Sequence, residues 1–422
     1  MSPKTRKIKS DFLIESLSPK EIIQFDKYIK SKLRKSGEKV LKYWQSRYRL
    51  LRHKNISFDK IEQSYFSRKT ISDFVKILES FIARQGYNRD TLSRNVYLAR
   101  ELRQRNINRY FASLVDYVYS DHSISILKGY SYLFNLQRLY VEEYFLCSSR
   151  NDEAGMYKLS RKMRETSEVV LIQNKLFEYI NRKLHSNIPS DEYDGILKVE
   201  DAVEIIKRNK SYYSGKYPNV FLNYLFFEML ENPDVKSSIA SAQKFLADNE
   251  KCFARDFVQY AYETLVRFLV QRINTGCTVS FDLFYELFKD VEGRGLLKKI
   301  HNIQPMNFIS AISVSLAHND VSFANRLITI YKEKINSEFR DEVIMISRGM
   351  IELSEGNFED VKKLLKNHKT KYVSLYLFSK STLLKALYEL REDKNIHPLV
   401  DTVKHFLNRK LTGNIQQKEN IF

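Results

Sequence analysis

The chain reads as an all-α protein, helical hairpins stacked in file as an α-solenoid behind a basic N-terminal helical bundle. Three observations predict this. Glycine and proline are scarce, at 12 and 7 in 422 residues, which disfavours turn-rich β architectures. Apolar residues recur with helical period in nearly every segment, and no alternation of period two is sustained. Turn signals return about every 37 to 43 residues through the second half, the length of two helices and their connections.

The N-terminal bundle spans residues 1–88. Its clearest element is SPKEIIQFDKYIKS. Ser18 stands as N-cap, Pro19 at the first helical position and Glu21 three residues after the cap, which makes a capping box. Ile22, Phe25, Tyr28 and Ile29 then form one apolar stripe. In KVLKYWQSRYRLL the stripe is Val40, Leu41, Trp44, Tyr48 and Leu51, so its aromatics read as core. TISDFVKILESFIARQ carries Ile71, Phe74, Val75, Leu78 and Ile82.

A helical-hairpin array follows over residues 89–410, with a polar tail over 411–422. Its breaks are marked by Arg105-Asn106, Asn151-Asp152, Asn232-Pro233-Asp234, Thr275-Gly276, Asn319-Asp320, Gly356-Asn357 and Asp393-Lys394. Asparagine, aspartate and glycine suit these places because they tolerate turn backbone and cap the next helix. In LARELRQRNINRYFASLVDY, Leu98, Leu102, Ile107, Phe111, Leu114 and Val115 are the expected buried stripe. Arg100, Arg103, Arg105 and Arg109 then face solvent, and Asn106 is the hinge.

Charge divides the chain unevenly. Residues 1–110 hold 27 Lys+Arg and 11 Asp+Glu, a net of +16 out of the total of +19. A surplus so localised points to an acidic partner for the first quarter. No apolar run approaches the roughly 20 residues of a bilayer span, and the basic N-terminus lacks a secretory apolar region. Cys147, Cys252 and Cys277 are far apart and form no CxxC. They are expected as reduced thiols packed like small apolar side chains, in a cytoplasmic protein.

The last three units resemble tetratricopeptide-like (TPR-like) repeats. Gly349, Gly356, Phe358 and Leu365 stand where such a repeat places the small residue of its first helix, the turn glycine and two packing positions of its second. Ala324 takes the small second-helix position one unit earlier. Glu352 stands where an aromatic is usual, His368 replaces the second alanine, and no proline closes the unit. The resemblance covers roughly residues 150–410. It implies a right-handed α-solenoid of TPR-like hairpins that holds a protein or peptide in its groove. The first half, through LIESLSPKEIIQFDKYIKS, FVKILESFIARQ and ARELRQRNINRYFASL, is similar to an uncharacterised bacterial family of helical-repeat proteins. That likeness implies fold and no chemistry.

Catalytic motifs were sought with negative results. The sequence has no GxxxxGK[ST], no HExxH and no GxSxG, so phosphate-loop, zincin and nucleophile-elbow chemistries lack their residues. The acidic run Asp191, Glu192, Asp194 with Glu200 and Asp201 lacks the ligand spacing of a calcium loop and reads as an inter-helix segment. Glu292-Gly293-Arg294-Gly295 reads as helix stop and restart. No catalytic residue, cofactor or metal is expected. The expected function is a non-enzymatic protein-binding scaffold of unassigned oligomeric state. Its candidate groove residues on the long helices are Tyr260, Tyr262, Arg267, Asn307, Ser313, Arg348, Tyr376 and Lys380. The alternative is nucleic-acid binding through residues 1–110. Its candidate patch is Lys42, Arg47, Arg49, Arg52, Lys54, Arg94, Arg100, Arg103, Arg105 and Arg109, with steep salt dependence expected.

Overall fold

A computed structural model describes residues 9–33, 37–52, 66–120, 130–184, 198–232, 234–295, 297 and 303–410. Among these residues the fold is all-helical, with 20 α-helices and no strand. One isolated parallel bridge joins Ile303 and Ile335. The chain forms two compact units. The first comprises 1–125 with 134–163, and the second comprises 126–133 with 164–422.

The first unit opens with α1 (Lys9–Glu15), α2 (Pro19–Lys32), α3 (Glu38–Arg52) and α4 (Arg68–Arg89). The Ser18 box closes as expected. The Ser18 N–H donates to Glu21 Oε2 at 2.9 Å, and the Glu21 N–H donates to Ser18 Oγ at 3.3 Å. Helices α1, α2 and α3 each pack on α4. Their shared core is aromatic: Phe25, Tyr43, Trp44, Phe74 and Phe81 are buried among Ile14, Ile29 and Leu78. Trp44 meets Phe25 edge-on at 4.8 Å between centroids. Its Nε1–H finds Asp26 Oδ1 at 3.0 Å, which satisfies the one polar group of the ring.

Two further helices, α5 (Thr91–Gln104) and α6 (Asn108–Ser120), form a hairpin. The face buried on α5 is Leu92, Asn95, Val96 and Ala99. Leu98 and Ile107, expected inside, are exposed. Helix α5 has apolar residues on two sides, and the face holding Ala99 is the one that lets α6 approach. Helix α7 (Tyr130–Ser149) ends at Asn151, and α8 (Glu153–Leu184) begins directly after it.

The second unit continues with α9 (Val199–Arg208), α10 (Lys210–Lys216), α11 (Pro218–Glu231), α12 (Val235–Asp248), α13 (Arg255–Asn274) and α14 (Val279–Gly293). It closes with α15 (Pro305–Ala317), α16 (Val321–Tyr331), α17 (Arg340–Ser354), α18 (Phe358–Leu365), α19 (Val373–Glu389) and α20 (Asp393–Lys410). From α11 onward neighbours in sequence pack on each other. The first helices of successive hairpins also touch, α15 on α17 and α17 on α19. One continuous apolar core runs from Ile180 to Leu375, and a smaller one holds Val361, Leu365, Leu383, Ala386 and Leu387.

The hairpin turns share one backbone solution. Asn106, Asn151, Gly276, Asn319, Gly356 and Arg391 all take positive φ, between 54° and 86°. At each, the left-handed residue donates its N–H to the carbonyl three back, and the next residue donates five back. At Asn319 these bonds are 3.0 Å to Leu316 and 2.9 Å to Ser315. This double bond satisfies carbonyls that a helix end leaves orphaned. Five of the six lie at the expected breaks. The sixth falls at Arg391-Glu392, just before the expected Asp393-Lys394, because α20 already begins at Asp393. At Asn232-Pro233-Asp234 the turn is built by Asp234, whose carboxylate caps α12.

Gly349 is required by packing. A Cβ there would stand 2.8 Å from Leu365 Cδ1, so α17 and α18 meet only over a hydrogen. Among the described residues no helix is long and apolar enough to cross a membrane.

Candidate binding surfaces

Among the described residues, several cations of the candidate basic patch are answered by carboxylates. Lys42 pairs with Glu38 on its own helix at 2.8 Å, and Arg105 pairs with Glu101 at 3.0 Å. Arg100 and Arg103 converge on one buried carboxylate, Glu142, at 2.9 and 2.8 Å. Arg47 is not at the surface at all. It is 2% exposed, lies 3.5 Å from Asp11, and rests over Tyr43 at 5.3 Å. Position 47 falls one turn after Tyr43 and Trp44, so it shares their buried face of α3, and α1 supplies the acid. Arg94 and Arg109 are exposed, with no ion-pair partner among the described residues. Arg49 and Arg52 lie on α3, but their side chains, like all of Lys54, lie outside the described residues. So do Asp191, Glu192 and Asp194.

Rings and cations do meet elsewhere on the first unit. The Arg138 guanidinium lies 4.8 Å from the Tyr97 centroid and 6.0 Å from that of Phe134. Tyr87 stands 6.1 Å beyond Tyr97. Arg103 covers Phe145 at 5.1 Å, and Lys162 covers Tyr119 and Tyr140 at 5.1 and 5.2 Å. Sequence reasoning missed this set. Apart from Arg138 and Phe134, its partners lie on different helices from α4 to α8, so periodicity along one helix carries no trace of them.

The candidate groove residues separate by burial. Tyr262, Tyr376 and Lys380 are buried and are withdrawn as surface residues. Tyr262 packs into the main core and, with Asn307, lines a cavity of about 40 Å³. Tyr376 stacks on Phe406 at 3.9 Å. Tyr260 is half-buried among Phe177, Phe226 and Phe257. Arg267, Asn307 and Ser313 are half-exposed, and Arg348 is exposed. The tyrosines Tyr262 and Tyr376 are inside because a first helix between two neighbours buries most of its circumference.

Lys380 belongs to an internal polar cluster. Its ammonium reaches the Leu365 carbonyl at 3.4 Å, and burial lowers its pKa. His368, buried at the position expected for an alanine, stands 4.0 Å from Glu342. Burial pushes its pKa below 6.5, with Lys380 adding to the effect and Glu342 opposing it. A broad cleft of about 830 Å³, lined in part by Glu342, Tyr372, Phe406 and Arg409, lies alongside.

A second polar node joins α14 to the α15–α16 turn. Asp320 caps α16 through the Phe323 N–H at 2.9 Å and accepts from Tyr285 at 2.6 Å and Lys289 at 2.7 Å. These donors hold its carboxyl well below the usual aspartate range. His318 stacks on Tyr285 at 4.3 Å and reaches Asp282 at 2.9 Å. Both nodes tie helices together.

The cysteines are free thiols, each half-buried, and Cys277 packs against the main core. Comparison of the chain with protein-family models, with curated proteins and with solved structures finds no match.

Proposed function

We propose that the chain is a non-enzymatic, cytoplasmic protein-binding scaffold, a right-handed α-solenoid of TPR-like hairpins. The observation that carries this reading is the recurrence of one hairpin turn at Gly276, Asn319, Gly356 and Arg391, with first helix on first helix through the last three hairpins. Such stacking places corresponding faces of successive helices side by side. A row of that kind suits an extended protein segment. Its binding residues are the half-exposed or exposed members of the candidate groove: Arg267, Asn307, Ser313 and Arg348. Small and charged side chains there leave room for a bound backbone and fix it by hydrogen bonds.

Photo-crosslinking tests this. A photoreactive residue at Ser313 or at Arg348 is expected to capture one and the same protein in cells. Arg348→Glu is expected to abolish capture from Ser313 while leaving the circular dichroism unchanged. Absence of a protein adduct from both positions removes the reading.

A further inference from the structure

We infer that the first unit binds single-stranded nucleic acid on the ring-and-cation cluster of Tyr87, Tyr97, Arg138 and Phe134. This inference is independent of the proposed groove.

The cluster is built, not incidental. Asp90 caps α5 and accepts from the Ser93 hydroxyl at 2.5 Å. Ser93 Oγ accepts from Asn135 Nδ2 at 2.9 Å, and Asn135 Oδ1 accepts from Arg138 Nη1 at 3.2 Å. Asn135 is 4% exposed. A buried amide therefore holds a guanidinium near two rings that are themselves nearly half exposed, Tyr97 at 46% and Phe134 at 48%. Long cationic side chains ordinarily lose conformational freedom on binding. This one is ordered beforehand.

Two further features select the ligand. Among the described residues, the large apolar side chains exposed on this unit are mostly aromatic, nine against the three aliphatics Ile23, Leu98 and Ile107. A nucleobase stacks on tyrosine, phenylalanine and guanidinium faces without needing aliphatic contacts. The charge is also of the right sign: Arg94 is exposed one turn before Tyr97, in the stretch that holds the +16 surplus. A duplex is disfavoured. It hides base faces and needs a row of cations, and here Lys42, Arg100, Arg103 and Arg105 are answered by carboxylates.

The test is fluorescence anisotropy of a labelled uridine dodecamer with the full-length chain at low salt. A duplex of equal length and an acidic Glu/Tyr copolymer serve as competing probes. The single strand is expected to bind at least about tenfold tighter than the duplex. Tyr97→Ala and Arg138→Ala are each expected to weaken it about tenfold, and Tyr97→Phe to retain it, since stacking on one ring carries a factor of that size. A shallow salt slope is expected, near that of two or three phosphates. Absence of oligonucleotide binding overturns the inference. So does equal affinity for the duplex with no effect of Tyr97→Ala, which indicates charge alone. Preference for the acidic copolymer, lost in the same variants, overturns it in favour of a protein ligand. None of these outcomes bears on crosslinking at Ser313 or Arg348.

Discussion

Among the described residues, nine of the twelve large apolar side chains exposed on the first unit are aromatic, against three of eight on the second. The second unit puts its rings inside, where Phe226, Phe268, Phe284 and Phe308 fill one continuous core. Both units use the same turn, at Asn106 in one and at Asn319 in the other. Backbone rules therefore do not tell the two apart, and surface chemistry does. In the first unit the exposed rings of Tyr97, Phe134, Phe145 and Tyr119 lie under Arg138, Arg103 or Lys162, a surface with something to offer a ligand. In the second, cations such as Lys289 and Lys362 close hairpins onto Asp320 and Glu392, a use that ends within the fold.

The sharpest way to break this comparison is to remove a ring from the first unit's core. Trp44 is wholly buried, contacts Phe25 and Phe74, and donates to Asp26. Trp44→Ala is expected to cost about 3–5 kcal/mol, the transfer and cavity terms together. Hydrogen exchange checks where the loss falls. Protection should drop across 9–89 and stay unchanged across 305–410. An equal drop in both makes the two regions one cooperative body and voids the contrast.

What was legible in the sequence divides along the same line. Ser18 with Glu21 and the asparagine or glycine at each hairpin turn act within a few residues, so their spacing reports them directly. Gly349 was legible as a small packing residue because its partner, Leu365, lies within the same hairpin. The failures involve partners far along the chain. Arg47 reads as a surface cation until α1 brings Asp11 against it. Leu98 reads as core because α5 carries two apolar sides, and only contact with α6 selects Ala99. Lys380 reads as a groove residue until the Leu365 carbonyl of α18 meets its ammonium in the interior. The same limit hid Arg138, whose rings come from α5 and α7.

Smaller effects test whether the turns are interchangeable. Asp320→Ala removes a cap together with the acceptor for Tyr285 and Lys289, at an expected cost of about 1–2 kcal/mol by urea denaturation. Because its carboxyl titrates below the ordinary 3.8, that contribution is present above pH 3.8 and lost as pH falls below it. Asn319→Ala should cost about 1 kcal/mol, since alanine tolerates φ of 56° less well. Arg391→Gly runs the other way. Arginine at φ 54° carries left-handed strain of about 1–2 kcal/mol. Glycine relieves it, at some loss of unfolded-state restriction. A net gain of about 0.5–1 kcal/mol is expected. Destabilisation by Arg391→Gly would mean that this turn is held by its side chain.

The smallest effect is the most discriminating, because two histidines of the second unit titrate with opposite sign. Burial, with Lys380 nearby, holds the His368 pKa below 6.5. The unfolded chain then takes up a proton more readily than the folded one as pH falls through 6.5. Stability is lost over that window and levels off below the folded value. His318 is the reverse case. The Val314 carbonyl and Asp282 favour its charged form and raise its pKa, so its contribution is present below 6.5 and lost as pH rises through the raised value. Urea denaturation between about pH 8 and about pH 5 separates them. His368→Gln should flatten the acid-side loss, and His318→Gln should steepen it. If both substitutions move the slope in one direction, His368 is not held neutral in the interior, and the Glu342–His368–Lys380 cluster is open to water.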